Sequence, residues 1–171
     1  SRILDIGSGS GCIAITLSLE LPHTAVFAID ISEKALSVTN QNNTNLGAKV
    51  VTQHTDILHF EAFVATLPRF DVIVSNPPYI DPADKETMHA NVLQYEPQSA
   101  LFADHPDPLV FYSRIGEFGI KKLQSGGHLY FEIPETRATE IQSRLITLWY
   151  ESCSLSLDLQ GKPRILIAQK P

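Results

Sequence analysis

Short apolar runs alternate with stretches of helical spacing along most of the chain. Strands are predicted at Arg2–Ile6, Ala25–Ile31, Lys49–Gln53, Phe70–Ser75, His128–Ile133, Glu151–Leu159 and Arg164–Gln169. Helices are predicted at Gly11–Glu20, from Glu33 to Leu46, at Asp107–Leu123 and at Glu135–Trp149. Strands that alternate with helices favour parallel pairing through right-handed crossovers. The pattern therefore predicts an α/β fold with a doubly wound, mostly parallel seven-stranded sheet that ends in an antiparallel hairpin.

Local signals mark the ends of several elements. Ser32 is placed to cap the second helix, and Gly47 can take the left-handed conformation that closes it. The stretch Ile80–Pro106 is polar and irregular, and loops of that length inside a compact domain are usually lids or binding loops. We expect residues 1–171 to form one catalytic domain. Because Ser1 leads almost directly into a buried strand, we also expect an N-terminal portion to be missing.

Composition and charge narrow the function classes. The 171 residues carry 13 Lys+Arg and 19 Asp+Glu, a net charge of −6, which argues against non-specific binding of nucleic-acid backbones. No apolar run approaches the ~20 residues that a membrane span needs, so we expect no membrane contact. The two cysteines, Cys12 and Cys153, lie far apart, and the six histidines show no metal-ligand spacing. A soluble cytoplasmic domain without a metal is expected.

A glycine-rich turn follows the first strand and opens the first helix, since residues 7–11 read Gly-Ser-Gly-Ser-Gly. Alternate glycines let the backbone turn sharply and approach a ligand closely. The helix N–H groups behind the turn favour an anionic group. A dinucleotide fingerprint would require glycine at position 12, where this chain has Cys12. The turn therefore disfavours a dinucleotide such as NAD or FAD, and together with Asp30 it predicts a nucleoside cofactor.

Three aspartates complete this candidate cofactor site. Asp30 ends the second strand, where a carboxylate can accept hydrogen bonds from both ribose hydroxyls. Asp56 follows the third strand and could accept from an adenine amino group beside the apolar Ile57, although an ordinary turn residue is the alternative. Asp5 could either touch the ligand or organise the loop by accepting hydrogen bonds from backbone amides.

The fourth strand leads directly into Asn76-Pro77-Pro78-Tyr79. In an open α/β sheet, ligands bind beyond the carboxyl ends of the strands, so this tetrapeptide is expected beside the cofactor. The Asn76 side-chain carbonyl and a main-chain carbonyl near Pro77 can accept both N–H groups of a planar amino group, and Tyr79 can stack on its flat face. Two prolines hold these acceptors rigidly and add no competing donor. The alternative is a turn in which the prolines merely end the strand.

Together the glycine turn, Asp30, Asp56 and the tetrapeptide resemble the amino-directed class I S-adenosylmethionine-dependent methyltransferases. Within that class, Asn76–Ile80 followed by Tyr95-Glu96-Pro97 and Ala100-Leu101 resembles the peptide-chain release factor glutamine methyltransferase family. The resemblance covers essentially the whole chain.

This resemblance implies a Rossmann-like fold and methyl transfer to the side-chain amide of the glutamine in the release factors' Gly-Gly-Gln loop. The cofactor is then S-adenosylmethionine, the product S-adenosylhomocysteine, and the partner a release factor. The predicted catalytic residues are Asn76, Pro77, Pro78 and Tyr79. The predicted cofactor-binding residues are Asp5, Gly7, Ser8, Gly9, Ser10, Gly11, Asp30, Ile31, Asp56, Ile57 and Asn76. Members also carry an N-terminal helical domain that helps grip the release factor.

Two other functions remain open at this point. A nucleic-acid amino methyltransferase acting on adenine or guanine would use the same tetrapeptide, but a duplex substrate would need base flipping and a cationic groove. The charge of −6 and the lack of a Lys/Arg cluster disfavour it. A non-catalytic cofactor-binding module is disfavoured by the intact Asn76–Tyr79 segment.

Overall fold

A computed structural model describes residues 1–78 and 106–171 of the chain. Its seven strands are β1 (Arg2–Ile6), β2 (Ala25–Asp30), β3 (Val50–His54), β4 (Phe70–Ser75), β5 (Leu123–Glu132), β6 (Glu151–Leu157) and β7 (Pro163–Gln169). Its helices are α1 (Cys12–Glu20), α2 (Glu33–Leu46), α3 (Val110–Lys122) and α4 (Ala138–Thr147), with short 3₁₀ turns at Ile57–Ala62, Val64–Thr66 and Glu135–Arg137.

The strands form one sheet in the order β3-β2-β1-β4-β5-β7-β6. The five strands from β3 to β5 in this order pair in parallel, whereas β7 runs antiparallel to both β5 and β6. The predicted doubly wound, mostly parallel sheet with a C-terminal hairpin is therefore confirmed.

Successive residues of β2 face opposite sides of this sheet, as the pleat of a strand requires. Val26 and Ala28 pack with Ala14 and Ile15 of α1 in a small cluster on one face. Ile29 joins the larger core on the other side, which includes buried residues of α3 and α4. Burial on both faces explains why the strands read as continuous apolar runs.

The ends of α2 are those that the local signals predict. The Ser32 hydroxyl accepts a hydrogen bond from the Ala35 N–H at 3.1 Å, and Gly47 closes the helix with φ +69°. Such a cap satisfies an N–H group that has no partner inside the helix.

Other boundaries differ from the sequence prediction. Strand β5 begins at Leu123 rather than His128, because the fully buried Leu123 already pairs with Phe70. The preceding helix therefore ends at Lys122, one residue before the predicted Leu123. Residues 135–137 form a 3₁₀ turn, because Arg137 has non-helical angles. Strand β6 ends before Asp158, whose carboxylate accepts the Gln160 and Lys162 N–H groups and shapes the hairpin turn.

Tyr79, Glu96 and nearly all of the predicted loop Ile80–Pro106 lie outside the described residues. Across the two described stretches, no helix combines the length and apolar character that crossing a bilayer would demand.

Candidate active site

The candidate site lies at the carboxyl ends of β1, β2 and β4. The central strand β1 pairs with β2 through Ile6 and Ile29, and with β4 through Ile6 and Ser75. The chain thus leaves β1 toward β2 on one side and returns to β4 on the other. This reversal of strand order opens a crevice in which α/β proteins bind ligands. The fold brings the glycine loop (residues 7–11), Asp30 and Asn76 to this edge, as the sequence predicts.

The three glycines of the loop serve different needs. All have positive φ, +73° at Gly7, +57° at Gly9 and +87° at Gly11. A Cβ on Gly7 or Gly9 would meet nothing within 4 Å, so these residues border open space. A Cβ on Gly11 would lie 2.8 Å from Thr39 Cγ2 and 2.9 Å from Ile15 Cδ1. Gly11 is therefore required by the packing of α1 against α2, whereas the other two leave room for a ligand.

Most N–H groups of the loop already have partners within the protein. Gly7 and Ser8 donate to the Ile29 carbonyl at 2.9 and 3.2 Å, and Gly11 donates to the Ser8 carbonyl at 2.8 Å. In the first turn of α1, the Ala14 N–H donates to Asp5 Oδ2 at 3.1 Å. Asp5 thus occupies part of the anion site that the sequence predicts at this helix terminus.

Asp5 is buried, with 1% of its surface exposed. Burial raises the pKa of this carboxyl from 3.8 to about 7, the Ala14 N–H opposes that shift, and the Asp30 charge adds to it. The contact with Ala14 supports the loop-organising role among the two roles considered for Asp5. Contact with a ligand stays a prediction.

Two buried polar atoms at this loop lack a hydrogen-bond partner among the described residues, Asp5 Oδ1 and Ser8 Oγ. A buried acceptor without a partner is costly, and such atoms commonly receive a ligand or a water. A ligand that offers hydroxyl or ammonium donors would satisfy them. The loop is therefore compatible with the ammonium group of S-adenosylmethionine, the cofactor that the resemblance implies.

Asp30 links the end of β2 to the loop. Its Oδ2 accepts the Gly9 N–H at 2.9 Å and its Oδ1 accepts the Ser32 N–H at 2.8 Å. Each carboxylate oxygen can accept a second hydrogen bond. The carboxylate is held in one orientation and retains acceptor capacity for ribose hydroxyls, which remain its predicted partners. The neighbouring Ile31 is exposed.

Asp56 and Ile57 have structural roles in the described part of the chain. Asp56 caps the 3₁₀ turn after β3, accepting from the Leu58 N–H at 2.9 Å, and its Oδ2 lies 2.7 Å from His59 Nδ1. Ile57 is buried in the larger core. These contacts support the turn alternative for Asp56, and the predicted adenine contacts of both residues stay predictions.

The substrate segment begins directly at the end of β4. The buried Ser75 hydroxyl donates to the Ile6 carbonyl at 2.7 Å, which joins the last residues of β4 and β1. Asn76 is exposed, Pro77 is buried and Pro78 is half-buried. The exposed Asn76 therefore follows a strand end that is held against the end of β1, from which the glycine loop continues.

Three residues that shape this edge are not among those predicted from the sequence. Besides Ser75, they are Thr39, whose hydroxyl donates to the Gly9 carbonyl at 2.8 Å, and Asn42, whose Nδ2 donates to the Ser10 carbonyl at 3.0 Å. Thr39 lies three positions after the buried Leu36 on α2. A polar residue on the apolar stripe of a helix is the signal that could have found it.

Within the described residues, no group of three or more His, Cys, Asp or Glu side chains could hold a metal ion.

The family profile described as "Methyltransferase small domain" matches residues 1–104, well over half of the chain. The chain belongs to the methyltransferase small-domain family. The chain is 44% identical over 169 residues to the release factor glutamine methyltransferase of Bacteroides thetaiotaomicron. This match covers 99% of this chain and 60% of that protein. It is 41% identical over 165 residues to the protein of the same name from Flavobacterium psychrophilum, a match that covers 96% of this chain and 57% of that protein. The resemblance carried by the motifs is thus confirmed.

The chain spans about 60% of the length of these two relatives. Among solved structures, a methyltransferase from Pyrococcus furiosus superposes with a TM-score of 0.69 at 19% identity, over 99% of this chain and 74% of that one. At that identity the likeness shows the fold alone, and it confirms the Rossmann-like class.

Proposed function

We propose that this domain transfers a methyl group from S-adenosylmethionine to the side-chain amide nitrogen of the glutamine in a release factor's Gly-Gly-Gln loop. The observation that supports the proposal is the junction of β1 and β4, where the Ser75–Ile6 hydrogen bond joins the strand ends from which Asn76 and the glycine loop continue. The names of the relatives support the substrate class. The partner is then a release factor, and the expected compartment is the cytoplasm.

The cofactor would be held by the glycine loop and Asp30, and by the side-chain oxygens of Asp5 and Ser8 that lack a hydrogen-bond partner among the described residues. When bound, S-adenosylmethionine supplies a methyl group already activated by a sulfonium charge. The substrate nitrogen would take the methyl group as the bond between the methyl carbon and sulfur breaks, which leaves S-adenosylhomocysteine. The cationic nitrogen would then release one acidic N–H proton to water, so the proposed reaction requires neither a metal nor a strong base from the chain.

An amide nitrogen is a poor nucleophile because its lone pair is delocalised into the carbonyl group. The Asn76 side-chain oxygen would accept one N–H of the substrate amide, and a backbone carbonyl near Pro77 would accept the other. Two fixed acceptors orient the lone pair and stabilise the positive charge that develops on nitrogen. Because Pro77 is buried and both prolines lack an N–H, the turn holds these acceptors without competing donors.

The proposal is tested by locating the methyl group. Full-length protein, S-adenosylmethionine with a labelled methyl, a release factor and DNA are combined in one reaction, and mass spectrometry finds the label. Label on the Gly-Gly-Gln glutamine supports the proposal. Label on adenine or guanine, with none on protein, contradicts it and favours the nucleic-acid alternative.

Replacing Asn76 by alanine tests the role of the acceptor. We expect Asn76→Ala to lower kcat by about 100-fold or more, the scale seen when one transition-state contact is removed. Cofactor affinity should stay mostly intact, because Asn76 is only one of several predicted cofactor contacts. Asn45→Ala, at an exposed position of α2, is the matched control. Full turnover by Asn76→Ala would contradict the proposed mechanism, and an equal loss in the control would show that the effect is not specific.

A further inference from the structure

Two polar side chains of α2 hold the glycine loop from outside the predicted site. The Thr39 hydroxyl donates to the Gly9 carbonyl at 2.8 Å, and three residues later Asn42 Nδ2 donates to the Ser10 carbonyl at 3.0 Å. Residues three apart lie on the same face of a helix. This face of α2 therefore fixes two successive carbonyl groups of the loop.

Gly9 is held at both its N–H and its carbonyl. The N–H donates to Asp30 Oδ2 at 2.9 Å, and the carbonyl accepts from Thr39. Glycine has the widest choice of backbone angles, so an unrestrained Gly9 could rotate away from the φ of +57° seen here. The Thr39 hydroxyl restrains that rotation and so maintains the bond between Gly9 and Asp30.

Thr39 is suited to this task because it is fully buried. Its buried hydroxyl is shielded from competing water, and its methyl carbon lies 2.8 Å from the position that a Cβ on Gly11 would take. Losing the hydroxyl would leave the carbonyl of the half-buried Gly9 without this donor.

We propose that Thr39 is a positioning residue for the cofactor and that Asn42 has the same role with a smaller effect. This inference rests on the proposed function. Thr39 touches neither substrate nor cofactor in this proposal. It acts through Gly9, whose N–H keeps the Asp30 carboxylate oriented for the ribose hydroxyls.

The test compares Thr39→Val, which keeps the shape and removes the hydroxyl, with Thr39→Ser, which keeps the hydroxyl. Thr44→Val is the matched control, because Thr44 is an exposed threonine on the same helix whose hydroxyl donates within α2, to the Asn40 carbonyl. Calorimetry on the full-length proteins measures the Kd of S-adenosylhomocysteine, and steady-state kinetics with a release factor separate KM for the cofactor from kcat.

We expect Thr39→Val to weaken S-adenosylhomocysteine binding and raise the cofactor KM by about tenfold, equivalent to ~1.4 kcal/mol, with kcat at saturation within about twofold. Thr39→Ser and Thr44→Val should bind like wild type, and Asn42→Ala should weaken binding by about threefold.

Wild-type affinity in Thr39→Val overturns the inference. So does equal weakening in Thr39→Val and Thr39→Ser, because the methyl packing and not the hydroxyl would then matter. Failure of the proposed function is separable. If the variants show the expected pattern of Kd values but the wild type methylates no release factor, the proposed substrate is contradicted and the role of Thr39 is supported. A wild type that binds no S-adenosylhomocysteine overturns both.

Discussion

The buried carboxyl of Asp5 should make the free energy of unfolding depend on pH. Its pKa is raised from 3.8 to about 7 in the folded protein, chiefly by burial, and the side chain is 1% exposed. Between these two values the folded state holds a proton that the unfolded state has lost. Stability from this group is therefore fully present below pH 3.8 and is lost as the pH rises to about 7.

The size of the effect follows from the shift of about three pH units. Each unit corresponds to ~1.36 kcal/mol, so this group should remove ~4 kcal/mol from the free energy of unfolding between pH 4 and pH 7. Asp5→Asn keeps an oxygen that can accept the Ala14 N–H and removes the titration. The difference in stability between variant and wild type should thus shift by ~4 kcal/mol in favour of the variant over that range.

Urea unfolding of both proteins without cofactor, at half-unit steps from pH 4 to pH 8, measures this difference. Taking the difference cancels the other titrating groups, which the two proteins share. We expect the difference to rise with pH and to level off above about pH 7.5. Two stability curves that run parallel across the whole range would refute the assignment of a raised pKa to Asp5.

Two further substitutions test contacts of the scaffold. A Cβ on Gly119 would lie 2.1 Å from Tyr150 Oη, whose hydroxyl donates to the Gly116 carbonyl at 2.9 Å. Gly119→Ala should therefore lower the free energy of unfolding measured in urea by ~2–4 kcal/mol, and adding Tyr150→Phe should restore part of that loss. A Gly119→Ala protein as stable as wild type would be inconsistent with this packing. Ser75→Ala removes the hydrogen bond to the Ile6 carbonyl and should cost ~1–2 kcal/mol by thermal unfolding, and an unchanged Tm would show that this bond adds nothing to stability.

The predictions that held from sequence are those governed by neighbouring residues. The Ser32 and Gly47 caps of α2 depend on hydrogen bonds and backbone angles within one turn of helix. The limits of β4 followed from its own apolar run, and with them the place of Asn76 at the end of a strand. The glycine spacing likewise marked the loop correctly, because positive φ is a local demand.

The tertiary structure decided which distant groups meet these residues. Ser75 bonds to Ile6 across 69 positions of sequence, and Thr39 bonds to Gly9 across 30, because the order of the strands places β1 beside β4 and α2 against the loop. The same packing gives Gly11 a reason to be glycine, because a Cβ there would collide with Thr39. Sequence alone determined the elements and the residue types at their ends. Only the fold determined their partners, because a hydrogen bond or a buried charge depends on what lies within a few ångströms and not on what lies nearby in the chain.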